Sequence, residues 1–188
     1  MACIKKVATT FFASILLAMG AMALVGCGQN DEEIIREGVS AELDKLKNLD
    51  EETLNLLASE AGADDLSSYG IDAKEFVSSY LAGFDYRIEN VNVDGDNATA
   101  TVVFTCKSFS QYTNSLEEAV TTLAEDESIQ SMSTDEQNMK FGETIMSSLN
   151  ELSAVETSPI ELAFAREGNS WNATQEAEQA ITNALFNN

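Results

Sequence analysis

From Val7 to Gly26 the chain runs for 20 residues without a charged side chain, directly after Lys5 and Lys6. A run this long and apolar is either a bilayer span or the leader of an exported protein. The basic start, the core rich in Phe, Leu, Ala and Met, and the small residues at its end have the shape of a leader. Both readings keep Lys5 and Lys6 in the cytosol and send the remainder outward. That remainder is acidic. The whole chain of 188 residues has 10 Lys+Arg, 32 Asp+Glu and a net charge of −22. Residues 1–26 contain two lysines and no acid, so the part beyond them carries 8 − 32 = −24. Such a balance excludes nucleic acid as a partner, because phosphate binding needs clustered Lys and Arg. It also opposes adhesion to anionic lipid. The chain has no histidine, which removes Ser-His-Asp and Cys-His catalysis and His zinc sites.

The end of the apolar run is more specific. Leu24-Val25-Gly26-Cys27 resembles the bacterial lipobox, in which a small residue precedes an obligatory cysteine. The resemblance implies that Leu24, Val25 and Gly26 are read by the signal peptidase, which cuts before Cys27. It further implies that the Cys27 sulfur, a soft nucleophile as thiolate, carries a thioether-linked lipid. One acyl chain binds a membrane only marginally, at about 0.8 kcal/mol per buried methylene, so a two-chain anchor suits the purpose. An uncleaved transmembrane helix is the competing reading, but it gives no reason for the Gly-Cys ending. The expected organisation is a signal peptide over 1–26, a lipidated tether over 27–30 and one acidic domain over 31–188. Cys3 leaves with the leader and Cys27 takes the lipid, so Cys106 has no intramolecular partner and no disulfide framework exists.

The domain shows helix starts and apolar stripes. Asn30/Glu33, Asp72/Glu75, Ser115/Glu118 and Ser133/Glu136 each place a capping side chain three residues before a glutamate. Stripes at helical spacing predict helices near 31–47, 51–60, 73–83, 116–125, 134–152 and 175–186. Two hairpins complete the pattern. Tyr86–Val93 and Ala98–Phe109 flank Asp94-Gly95-Asp96-Asn97, a strong turn signal. Tyr86 and Ile88 share one parity and Val91 and Val93 the other, so a bulge is expected near Glu89-Asn90. Cys106 falls on the apolar face with Ala98, Ala100, Val102 and Phe104, as a small hydrophobe. Lys107 falls on the other. The late hairpin runs from Ile160–Phe164 through Glu167-Gly168-Asn169-Ser170 to Trp171–Ala173.

The predicted class is α+β: about six helices packed on a curved antiparallel sheet of about four strands. Leading helices, a strand-Asp-Gly-strand hairpin and a late hairpin whose turn precedes Trp171 resemble the cystatin-like, nuclear-transport-factor-two-like cone. The helical insertion at 116–152, between the hairpins, departs from that plan. Cone folds that are enzymes imply a carboxylate base with a Tyr or His partner in a cavity. Asp85, Tyr86, Tyr80 and Arg87 form the only local set of that kind, and core aromatics beside solvated strand ends are the simpler reading. Asn90-Val91-Asn92-Val93-Asp94-Gly95 imitates the opening of a calcium loop. Its twelfth position is Thr101 rather than the bidentate Glu, so no metal site and no cofactor are expected. The functional expectation is a lipid-anchored exported protein on the outer face of the cell membrane. It is read as a non-catalytic module engaging an envelope protein or an apolar ligand. The alternative is a small-molecule enzyme or ligand carrier using the cone cavity. A transporter solute receptor is disfavoured, because such receptors need two lobes and a longer chain.

Overall fold

The computed structural model describes residues 23–25, 30–186 and 188. It is an α+β fold, as the patterning predicts. In chain order the elements are β1 (Ala23–Val25), α1 (Asp31–Asn48), α2 (Glu51–Glu60), α3 (Ala63–Ser67), α4 (Ala73–Leu81), β2 (Asp85–Asp94) and β3 (Asn97–Cys106). There follow α5 (Phe109–Glu125), α6 (Glu127–Gln130), α7 (Thr134–Asn150), β4 (Val155–Glu156), β5 (Ile160–Glu167), β6 (Ser170–Ala173) and α8 (Gln175–Phe186). The strands pair antiparallel in the order β1-β6-β5-β3-β2, with β4 beside β3. The two short strands β1 and β4 extend the expected four.

Each hairpin turn is made by two residues with glycine first: Gly95 at φ 60° and Gly168 at φ 64°. That placement suits a type II′ turn, whose twist matches the strands it joins. The expected bulge is present, as a register shift between Ile88 and Asn90. It lets Tyr86, Ile88, Val91 and Val93 all pair with core-facing residues of β3, opposite Phe104, Val102, Ala100 and Ala98. The same β3 residues meet Leu162 and Phe164 of β5 on the other flank. This face is covered by α1, through Ile35, Val39, Leu43 and Leu46, and by α8, through Ala177, Ile181 and Leu185. Phe104, Phe164 and Trp171 are fully buried there, each worth about 1.5–3 kcal/mol by removal from water. The opposite face carries Asn92, Thr99, Thr101, Thr105 and Glu161, which are partly or fully exposed, and Val103, which is buried.

The helix starts follow their caps, with one correction. Asp72 Oδ1 accepts from Glu75 N at 2.9 Å. Ser133 and Glu136 form a complete capping box. Asn30 caps α1 through Glu32 N rather than Glu33. The pair Ser115/Glu118 does not start a helix. Instead β3 ends at Cys106, Ser108 Oγ accepts from Gln111 N at 3.2 Å, and α5 begins at Phe109. Alternation alone carries the strand reading on to Phe109, and it cannot register that Ser108 is already a cap. One close approach orders the inserted helices. A Cβ at Gly142 of α7 would lie 1.9 Å from the Tyr69 carbonyl oxygen, so only glycine lets the α3–α4 connection pack there.

Candidate functional site

Of the expected lipobox, Leu24 and Val25 lie in β1, which pairs with Ser170–Asn172. Gly26, Cys27 and the first part of the tether lie outside the described residues. The domain side of that junction is tightly fixed. Asp31, in the first turn of α1, accepts from Trp171 Nε1 at 3.1 Å and from Arg166 Nη2. The Arg166 guanidinium also stacks 4.5 Å from the centre of the Trp171 ring. These hydrogen bonds, from Trp171 first and Arg166 second, hold the Asp31 carboxyl below its ordinary range. The start of α1 is thereby tied to the late hairpin four residues after Cys27. Sequence reasoning missed this cluster, since Asp31 and Arg166 are far apart in the chain.

Asp85, Tyr86, Tyr80 and Arg87 do not converge. Tyr80 is buried and donates to the Leu185 carbonyl at 2.8 Å. Tyr86 points to α1, donating to Asp44 Oδ1 at 2.8 Å. Asp85 and Arg87 leave the sheet by its polar face. Asp85 pairs with Lys47 at 2.7 Å, and Arg87 with Glu156 at 2.9 Å and Glu89 at 3.1 Å. Asn90–Asp94 belong to β2. Among the described residues no group of three His, Cys, Asp or Glu could hold a metal ion.

Cys106 is buried, as its strand face predicts. Its Sγ accepts from Asn188 Nδ2 at 3.2 Å, and burial pushes the thiol up to about 11. Lys107 departs from expectation. It is not on the polar face of a strand but is buried, with Nζ donating to the carbonyls of Ser79 at 2.7 Å and Leu149 at 2.9 Å. Those carbonyls belong to the last turns of α4 and α7, the negative ends of two helix dipoles. Burial pulls the ammonium below its ordinary range, yet two carbonyls and two helix ends favour its charge. The amine therefore clamps the ends of two helices.

A cleft of about 580 Å³ lies where the β4–β5 connection faces α8 and the start of α5. Val155, Ile160, Ala180 and Ala184 supply its apolar lining, and Gln111, Asn183, Asn188, Glu156 and Glu161 its polar one. Val155 is 43% exposed and, with Met139, is one of the large exposed hydrophobics among the described residues. The sequence signal for this place is Pro159, which interrupts the strand pattern before Ile160.

Among the described residues no helix is long and apolar enough to cross a membrane. No protein-family profile matches the chain, and no curated protein does. A crystal structure of YcdA, a candidate lipoprotein of Bacillus subtilis, aligns with 14% identity and a TM-score of 0.46 over 94% of this chain and 56% of that one. The chain thus spans little more than half the length of that protein.

Proposed function

We propose that this chain is an exported lipoprotein, held by lipid on Cys27 at the outer face of the cytoplasmic membrane. In this reading its acidic domain binds an envelope partner rather than transforming a substrate. The observation that carries the reading is the uncharged run closing on Leu24-Val25-Gly26-Cys27. The fold supports it at the other side of the cut. Asn30 caps α1 and Asp31 is locked to Arg166 and Trp171, so the tether is a few residues, about 10 Å when extended. Cleavage before Cys27 takes β1 away with the leader and leaves β6 as the outer strand. The cone resemblance is kept here as the proposed ancestry. It rests on the two hairpins and on Trp171, which follows the second turn and is buried against α1 and its sheet. The binding role is supported by the dispersal of Asp85, Tyr86, Tyr80 and Arg87 among separate partners.

The anchor is tested by Cys27→Ser in cells. The native protein is expected in the detergent phase, with a mass showing loss of residues 1–26 and gain of lipid. The variant is expected to keep its leader and carry no lipid. Unchanged partitioning and mass would overturn the anchor. A native protein that keeps residues 1–26 would favour the transmembrane alternative.

A further inference from the structure

We infer that the cleft beside β4 and β5 is a slot for an extended peptide that adds to the sheet as a strand, with Lys or Arg at alternate positions. The inference deepens the binding role proposed above and rests on it. It starts from where the backbone groups point. Thr174 N donates to the Ala163 carbonyl at 2.9 Å, and Arg166 N donates to the Asp96 carbonyl at 2.8 Å. Odd-numbered residues of β5 therefore direct their N–H and C=O toward β6, and even-numbered ones toward β3. But along β5 the pairing with β6 covers Phe164–Glu167, and the chain turns into α8 after Ala173, so among the described residues no strand lies beside Glu161 on that flank. The N–H and C=O of Glu161 are left facing the cleft. The same alternation holds one step back. Thr157 N donates to the Phe104 carbonyl at 2.8 Å and Val155 pairs with Cys106, so Glu156 directs its backbone groups outward. The cleft thus runs along a stretch of open strand edge, the template that strand addition uses.

The walls state what the peptide carries. A strand alternates its side chains between two faces. On the core-side face the added strand meets Val155, Ile160, Ala180 and Ala184, which suit small apolar side chains. On the other face stand Glu161 and Glu156, the latter sharing Arg87 with Glu89, so that three carboxylates there outnumber one guanidinium; Glu156 and Glu161 pair with Thr105 and Thr101 across the sheet. The chain beyond residue 26 carries −24 in all, so cationic side chains are favoured there and a second acidic copy of this chain is repelled.

The test uses the lipidated full chain in neutral detergent and a fluorescent blocked hexapeptide alternating Lys and Val. Its controls are the Glu-Val analogue and Lys-Val peptides N-methylated at every second residue, in each of the two registers. The Lys-Val peptide is expected to bind saturably, and more weakly as salt rises. The Glu-Val analogue and one N-methylated register are each expected to lose at least about tenfold, which is about 1.4 kcal/mol. Glu161→Pro removes the outward N–H and leaves the β3–β5 ladder its even-numbered donors; it is expected to lose a similar factor. Ala180→Trp fills the slot from α8 and guards against a folding defect in Glu161→Pro. Equal binding by both N-methylated registers, equal binding by Glu-Val, or no saturable binding at millimolar peptide would overturn the inference. So would a dimer that dissolves in Glu161→Pro, which would assign the edge to a second copy. In-cell crosslinks that repeatedly capture a partner away from the cleft would overturn it while leaving the broader binding role standing.

Discussion

The two flanks of β3 are built differently. On one side β2 leads into β3 through a two-residue turn and pairs from Asp94↔Asn97 to Asp85↔Thr105 with a single bulge. On the other side the partner comes from beyond three inserted helices and is itself broken. β4 covers Thr105 and Cys106, Pro159 interrupts, and β5 takes over from Val102 to Asn97. A side chain bridges the gap: Thr157 Oγ1 accepts from Phe104 N at 3.1 Å. The local flank leaves its geometry to a glycine turn. The distant flank depends on contacts made only when the whole chain has folded, and it is where a strand edge stays open beside a cleft.

The largest effect should come from the clamp at the end of β3. Lys107→Met leaves the half-buried Ser79 carbonyl without its donor and the Leu149 carbonyl with backbone donors alone, Leu152 N at 3.4 Å among them; a lost buried partner costs about 1–3 kcal/mol. Denaturant unfolding should show a loss of about 2 kcal/mol or more. A loss below about 0.5 kcal/mol would mean that the helix ends do not need the amine, and that the distant flank is held by the sheet alone.

Next comes a direct comparison of the flanks. Gly95→Ala forces an L side chain to φ 60° at about 1–2 kcal/mol. Thr157→Val leaves Phe104 N without its acceptor, at about 1–2 kcal/mol. The two sites lie near opposite ends of β3. The double variant should therefore equal the sum of the singles within about 0.5 kcal/mol. A larger discrepancy would show that β3 couples its two partners.

The smallest effect on the fold concerns Cys106, where β4 meets β3. Its folded pKa, about 11, stands above its ordinary value of 9.0 because burial disfavours the thiolate. The sign follows: its neutral form stabilises the fold fully below pH 9, and that contribution is lost as pH rises from 9 toward 11. At pH 8 a thiol reagent should modify the native chain about 100-fold more slowly than the unfolded chain, in line with the thiolate fractions. Equal rates would place Cys106 in the open cleft rather than behind Asn188.

Much of this architecture is legible from short-range chemistry. The Asp-Gly turn, the parity change that demands the bulge, the capping box at Ser133/Glu136 and the stripe of Ile35, Val39, Leu43 and Leu46 each involve residues within one or two turns of one another. The burial of Cys106 follows from its strand face. The errors share a cause. Ser115/Glu118 is a valid capping pattern on paper, but Ser108 outcompetes it because Lys107 and Asn188 hold the chain at that point: Ser108 Oγ donates to the Asn188 carbonyl at 2.8 Å. The two-residue β4 is too short to show a period.

What the amino-acid order determines by itself is the six longer helices and the two hairpins, though not the short α3, α6, β1 and β4, together with the turns that join neighbours and the uncharged run that ends in Gly26-Cys27. These depend on local sterics, capping and hydropathy, which act over a few residues. Tertiary structure alone decides that Lys107 is buried against two helix ends, that Asp31 meets Arg166 and Trp171, and that the edge at Glu156 and Glu161 is left open. Each of these joins segments tens of residues apart, and a buried charge or an unpaired edge is tolerated only when distant carbonyls, rings and helices have already been packed around it.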